Sequence, residues 1–104
     1  FLFVPPFVPP TIGGATPNPV CVNTTLTIAG TDFDPIAANN SVLFLGKPGI
    51  PSDDQYGVVT NATPIELQVT VPIGTKSGDM LVHNLVGTSA SPYAVGIEKP
   101  NVCP

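Results

Sequence analysis

The chain has 104 residues, the length of one domain. Its 14 prolines and 10 glycines, set against only 10% charged residues, exclude a helical protein and point to an all-β one. Positive charge comes from Lys47, Lys76 and Lys99 alone and the net charge is -4, which excludes a nucleic-acid partner, because neutralising a phosphate backbone takes several cations on one face. An anionic membrane surface is disfavoured for the same reason.

With 42% apolar residues the chain can offset the entropy of ordering, so it is not disordered by composition. A chain this short buries only about 60 to 70% of its unfolded surface. A covalent staple is therefore expected. No apolar run approaches the roughly 20 residues of a membrane helix, so no membrane insertion is expected.

In chain order, residues 1–10 read F-L-F-V-P-P-F-V-P-P and form an apolar arm. Two Pro-Pro pairs forbid a helix there and favour an extended or polyproline II conformation. The arm lacks the basic flank and unbroken apolar stretch of a signal peptide. A first residue of Phe rather than Met reads as a processed mature chain or an excised domain. The body is residues 11–104.

Thr11 to Thr16 is a first strand, ended by the turn signals Pro17-Asn18-Pro19. Val22 to Ile28 places Val22, Leu26 and Ile28 on one face, with threonines largely on the other and Gly30 as the stop. Ser41 to Gly46 is apolar on both faces, the mark of a central or doubly covered strand. Tyr56 to Thr60 is a shorter β-rich piece. Ile65 to Pro72 alternates most cleanly, with Ile65, Leu67, Val69 and Val71 inward and Glu66, Gln68 and Thr70 outward. Met80 to Leu85 and Tyr93 to Ile97 complete the set, with Tyr93, Val95 and Ile97 inward. Seven short strands between Gly, Pro and Asn turns predict an all-β, seven-strand β-sandwich. No internal repeat at solenoid spacing is present.

Cys21 and Cys103 match no zinc spacing, and His83, the only histidine, cannot complete a zinc site with them. A disulfide is expected, closing a loop long enough to contribute roughly 4 kcal/mol in the chain-entropy model. That points to an oxidising, extracellular compartment. With seven antiparallel strands alternating between two poles, Cys21 after the first and Cys103 after the last lie at the same pole. The arm leaves from the other.

Three blocks then resemble a known family: Thr24-Thr25-Leu26-Thr27-Ile28-Ala29-Gly30-Thr31-Asp32-Phe33, Val42-Leu43-Phe44-Leu45-Gly46 and Val71-Pro72-Ile73-Gly74-Thr75-Lys76-Ser77-Gly78. Their order is similar to that of the IPT/TIG immunoglobulin-like domains, over Pro10 to about Ile97. The long insertion from Lys47 to Gln55, the arm and the Cys103 tail depart from that pattern. The resemblance implies a non-catalytic Ig-like module of the kind found in cell-surface receptors, bacterial surface proteins, glycan-processing enzymes and some transcription factors. The charge count conflicts with the last of these, and fold alone does not settle function.

Chemistry is scarce. A nucleophilic triad needs a base held between nucleophile and acid, and His83 lies at the outward phase of a strand, so it reads as a surface or interface residue. Asp32 and Asp34 with Asp53 and Asp54 have the hard oxygen chemistry that suits Ca²⁺, but neither segment has a complete calcium-loop pattern, and both read as turn-forming residues. No phosphate-cradling glycine loop is present. The expectation is of no catalytic residues, no metal and no cofactor. N-x-S/T sequons occur at Asn23, Asn39 and Asn61, against about one expected by chance, so either covalently attached glycans or ordinary turn asparagines account for them.

The arm carries Phe1, Leu2, Phe3, Val4, Phe7 and Val8. At about 1.5 to 3 kcal/mol for each large apolar side chain fully buried, they should not stay in water. The body offers Leu43, Leu45 and Leu81 at outward phases as a receiving surface. The leading expectation is an extracellular structural protein whose partner is itself, polymerising head to tail by inserting its arm into the next subunit. The alternative is an adhesion, glycan-binding or spacer module of a larger cell-surface protein or glycan-active enzyme. A small hydrolase using His83 is the least supported reading.

Overall fold

A computed structural model describes residues 8–46, Gly49, 51–89, 92–99 and Cys103. The arm residues Phe1, Leu2, Phe3, Val4 and Phe7 lie outside the described residues. The described chain is all-β, with two antiparallel four-stranded sheets. The strands are β1 (Thr11–Thr16), β2 (Thr25–Thr31), β3 (Ser41–Gly46), β4 (Gln55–Tyr56), β5 (Val58–Thr63), β6 (Glu66–Thr70), β7 (Gly78–His83) and β8 (Tyr93–Val95). One sheet runs β1-β2-β6-β5 and the other β4-β3-β7-β8.

A single core joins them in a β-sandwich-like arrangement. The first sheet contributes Leu26 and Ile28 of β2 and Leu67 and Val69 of β6; the second contributes Val42 and Phe44 of β3 and Met80 and Val82 of β7, all buried. Each pair stands two residues apart, so the period of two that marks these segments in the sequence is the period that fills the core. Val95 of β8 is buried with them, while Tyr93 and Ile97 are partly buried against the cluster.

Two expectations need correction. The described residues form eight strands, because the run Tyr56 to Thr60 is divided between the sheets: Tyr56 ends β4 in one and Val58 opens β5 in the other. Gly57 is the crossing point. Its N–H donates to the Val42 carbonyl at 2.9 Å, and a Cβ there would come within 2.5 Å of Val69 Cγ1 and 2.9 Å of Phe44 Cε2. The backbone therefore passes so close to the core that glycine is required. The second correction is Ile65, which is 66% exposed instead of inward. It occupies the two-residue turn Pro64-Ile65 between β5 and β6, where Thr63 Oγ1 accepts from the Ile65 N–H at 3.3 Å. The alternation of β6 runs on in sequence through a residue at which the backbone has already turned.

The connection after β1 decides where the cysteines go. Past the cis peptides Thr16-Pro17 and Asn18-Pro19, the chain leaves the first sheet and lines up along the outer edge of β8. Asn18 donates to the Ala94 carbonyl at 3.1 Å and accepts from the Gly96 N–H at 2.8 Å. Val20 then forms a parallel bridge with Ile97, donating to the Gly96 carbonyl and accepting from the Glu98 N–H. Cys21 is thereby delivered to the chain's last segment, and it is bonded to Cys103 across a sequence separation of 82 with Cα atoms 5.7 Å apart.

Candidate interaction surfaces

The loops sort the molecule into two ends. One gathers Val8–Pro10, the β2–β3 connection, the β5–β6 turn and the β7–β8 connection. The other gathers the β1–β2 connection, residues 71–77 and the Cys21–Cys103 bond.

At the first end the backbone is tied by buried amides. Asn84, buried just past β7, donates to the carbonyls of Val8 at 2.8 Å and Asp32 at 2.9 Å. Its Oδ1 accepts from the N–H groups of Val86 at 2.8 Å and Gly87 at 3.0 Å. Pro10 is buried too, so the base of the arm belongs to the packed body. Nearby, Asn40 brackets Asp34: its Oδ1 accepts from the Asp34 N–H at 2.9 Å and its Nδ2 donates to the Asp34 carbonyl at 2.7 Å. The Asp34 carboxylate in turn accepts from the Ile36 N–H at 2.9 Å and from Asn39 Nδ2 at 3.3 Å. Among the described residues no group of three or more His, Cys, Asp or Glu could hold a metal.

Around this polar frame several apolar side chains are exposed. Of the eight exposed large apolar side chains among the described residues, Val8, Ile36, Ile65, Leu85 and Val86 all belong to this end. Val8 is the interface candidate that falls within the described residues of the arm, and it is exposed. The other four come from three separate connections: the sequence places Ile65 and Leu85 on strands, and Ile36 and Val86 carry no sequence signal.

The opposite end is concave. A cleft of about 560 Å³ opens between Val22, Ile73 and Ile97, with Lys76, Glu98 and Cys103 at its margin. Ile73, at its lip, is 74% exposed. The side of the second sheet offers a third surface. Leu43 pairs with both Leu81 and Tyr56, and Leu43, Leu45 and Leu81 are half-buried. They alternate with the buried Val42, Phe44 and Val82, so they lie on the outer face.

The remaining sequence candidates are dispersed. His83 ends β7 and meets Thr88, whose Oγ1 lies 2.9 Å from Nδ1. Asn61 is exposed on β5, an edge strand. Asn23 is exposed at a left-handed φ of 63° that asparagine tolerates, and it lines the cleft. Asn39 is half-buried, with its amide nitrogen engaged by Asp34.

No protein-family model matches the chain, and neither does any curated protein sequence. Solved structures do. A Bacteroides thetaiotaomicron protein of unknown function aligns with a TM-score of 0.74 at 14% identity, covering 90% of this chain and 23% of that one. An auxiliary nutrient binding protein from the same organism aligns with a TM-score of 0.69 at 16% identity, covering 89% of this chain and 22% of that one. The likeness is one of fold. This chain spans less than a quarter of either protein.

Proposed function

We propose that the protein is a non-catalytic extracellular structural subunit with an immunoglobulin-like fold of the IPT/TIG type, which assembles head to tail into a filament through its N-terminal arm. The observation that carries this is the apolar cap of Val8, Ile36, Ile65, Leu85 and Val86 around the place where the arm meets the body. Five large apolar side chains exposed at one end of a small domain support an interaction site there. Here it continues into an arm with six apolar side chains, from Phe1 to Val8. A surface patch on one end that binds a different patch on the next copy gives an open, non-closing array.

The strand order supports the immunoglobulin part of the reading. β1-β2-β6-β5 corresponds to the A-B-E-D sheet and β4-β3-β7-β8 to C′-C-F-G. The Cys21–Cys103 bond supports an oxidising, extracellular location. Among the described residues no helix is long and apolar enough to cross a membrane. Attached glycans at Asn23, Asn39 or Asn61 are part of the same proposal. The test is assembly of the full chain in solution, followed by light scattering and negative-stain microscopy. Filaments that vanish on replacing Phe3 and Phe7 by Asp support the reading, and filaments that persist refute it.

A second reading is favoured by the small share of the matched proteins that this fold occupies: an adhesion, glycan-binding or spacer module within a larger surface protein. It requires a monomer in solution at every concentration, which the same scattering measurement reads.

A further inference from the structure

We infer that the cleft between Val22, Ile73 and Ile97 at the disulfide end receives the apolar arm of a second copy of this chain. The inference rests on the filament reading above and names the surface that completes it. Two surfaces compete for that role, the outer face carrying Leu43, Leu45 and Leu81 and the end cleft.

Three observations favour the cleft. The first is shape. At about 560 Å³ it falls within the range of roughly 300 to 1,000 Å³ that encloses compact apolar ligands, so it has room for part of the arm, while the leucines of the sheet face are already half-buried. The second is backbone chemistry. Pro5, Pro6, Pro9 and Pro10 have no N–H to give, so a strand-ladder contact would be interrupted at four of ten positions; a pocket that binds side chains carries no such requirement.

The third is reach. The arm leaves the body at Val8, where Asn84 holds the backbone, at the end opposite the cleft. To fill its own cleft it would have to retrace the nine residues from Val8 to Thr16 and then continue to Val22. Residues 1–7 span at most about 25 Å even fully extended, no more than the retraced strand alone, so placement favours the cleft of a neighbouring copy. In a head-to-tail pair the two ends face one another, and the cap of Leu85 and Val86 is brought up to Ile73, the exposed residue on the cleft's lip.

The test uses full-length variants and mixing. Ile73→Asp places a charge on the lip of the cleft at an exposed position, and Phe3→Asp with Phe7→Asp spoils the arm; Ile73→Gln is a milder control should the charge perturb folding, with circular dichroism reporting the fold of each. Each variant alone should sediment as a monomer. Mixed in equal amounts they should form a dimer and nothing larger, because one supplies an intact arm and the other an intact cleft. Ile73→Asp and Ile73→Gln chains that polymerise like the parent, while Leu81→Ser does not, would overturn the inference and leave the filament reading standing, with the sheet face as the receiver. An arm variant that polymerises like the parent, or a parent chain that stays monomeric, would overturn both.

Discussion

At the end where the arm joins, the chain is fastened by buried amides and its outside is apolar; at the other end it is fastened by a covalent bond and its outside is hollow. The difference is one of what each end can give up. The Asn84 and Asn40 side chains make seven hydrogen bonds to the backbone between them, which leaves the side chains of the connecting loops free to face outward. A disulfide with a sequence separation of 82 holds the opposite end, where a cleft opens beside the buried Val20 and Val71. Fastening by polar groups suits a projecting contact surface, and fastening by a cross-link suits a receiving one.

The contrast can be broken most severely at the covalent end. Replacing Cys21 and Cys103 by Ser should cost roughly 4 kcal/mol on the chain-entropy estimate, or about 20 °C in Tm for a domain of this size; a melt that moves by only a degree or two would mean the cleft end is held by something else. Next comes Asn84→Ala at the other end, expected to cost about 2 to 3 kcal/mol in denaturant titrations because it leaves buried backbone groups without partners. If the loss were no larger than for an exposed residue, the amide frame would not be what secures the arm's base.

Ile65→Ser sharpens the comparison from the other side. Being exposed, Ile65 should change stability by less than about 0.5 kcal/mol, whereas Leu67→Ala, two positions along the same alternation, should cost about 3 kcal/mol. Equal losses would place Ile65 in the core after all. The smallest effect on folding concerns sugar: if the cleft is a contact surface, glycopeptide mass spectrometry of native material should find Asn23, which lines it, unmodified and Asn61 on the β5 edge modified. A glycan on Asn23 would argue that the cleft stays open to solvent.

Much of the body was legible because burial follows the period of two: Leu26 and Ile28, Val42 and Phe44, Leu67 and Val69, Met80 and Val82 all point where their alternation directs them. The pairing of Cys21 with Cys103 followed from counting poles, although the chain reaches that result by a crossing at Asn18 and Val20 that no local pattern announces. Gly57 was the available sign that Tyr56 to Thr60 is two strands; a glycine inside a β-rich run marks a close backbone approach. Pro64 was the sign that Ile65 lies in a turn. The two end surfaces were not legible at all, because residues as distant as Val22, Ile73 and Ile97 meet only through the register of strands that are not neighbours in sequence.

The cross-link also determines how the molecule stretches. A pull between Val8 and the last residues passes through only thirteen steps of chain, from Val8 to Cys21, before it crosses the sulfurs to Cys103. The 82 steps between the cysteines, roughly 280 Å of contour length at full extension, lie outside the load path. Tension can peel β1 from β2 and straighten a segment about 45 Å long at full extension, much of which β1 already spans between the two ends, after which the rope goes taut with β2 to β8 still folded. A fibre made of such units would lengthen by a short, fixed increment per subunit and then resist, and reducing agent would convert it into one that unravels.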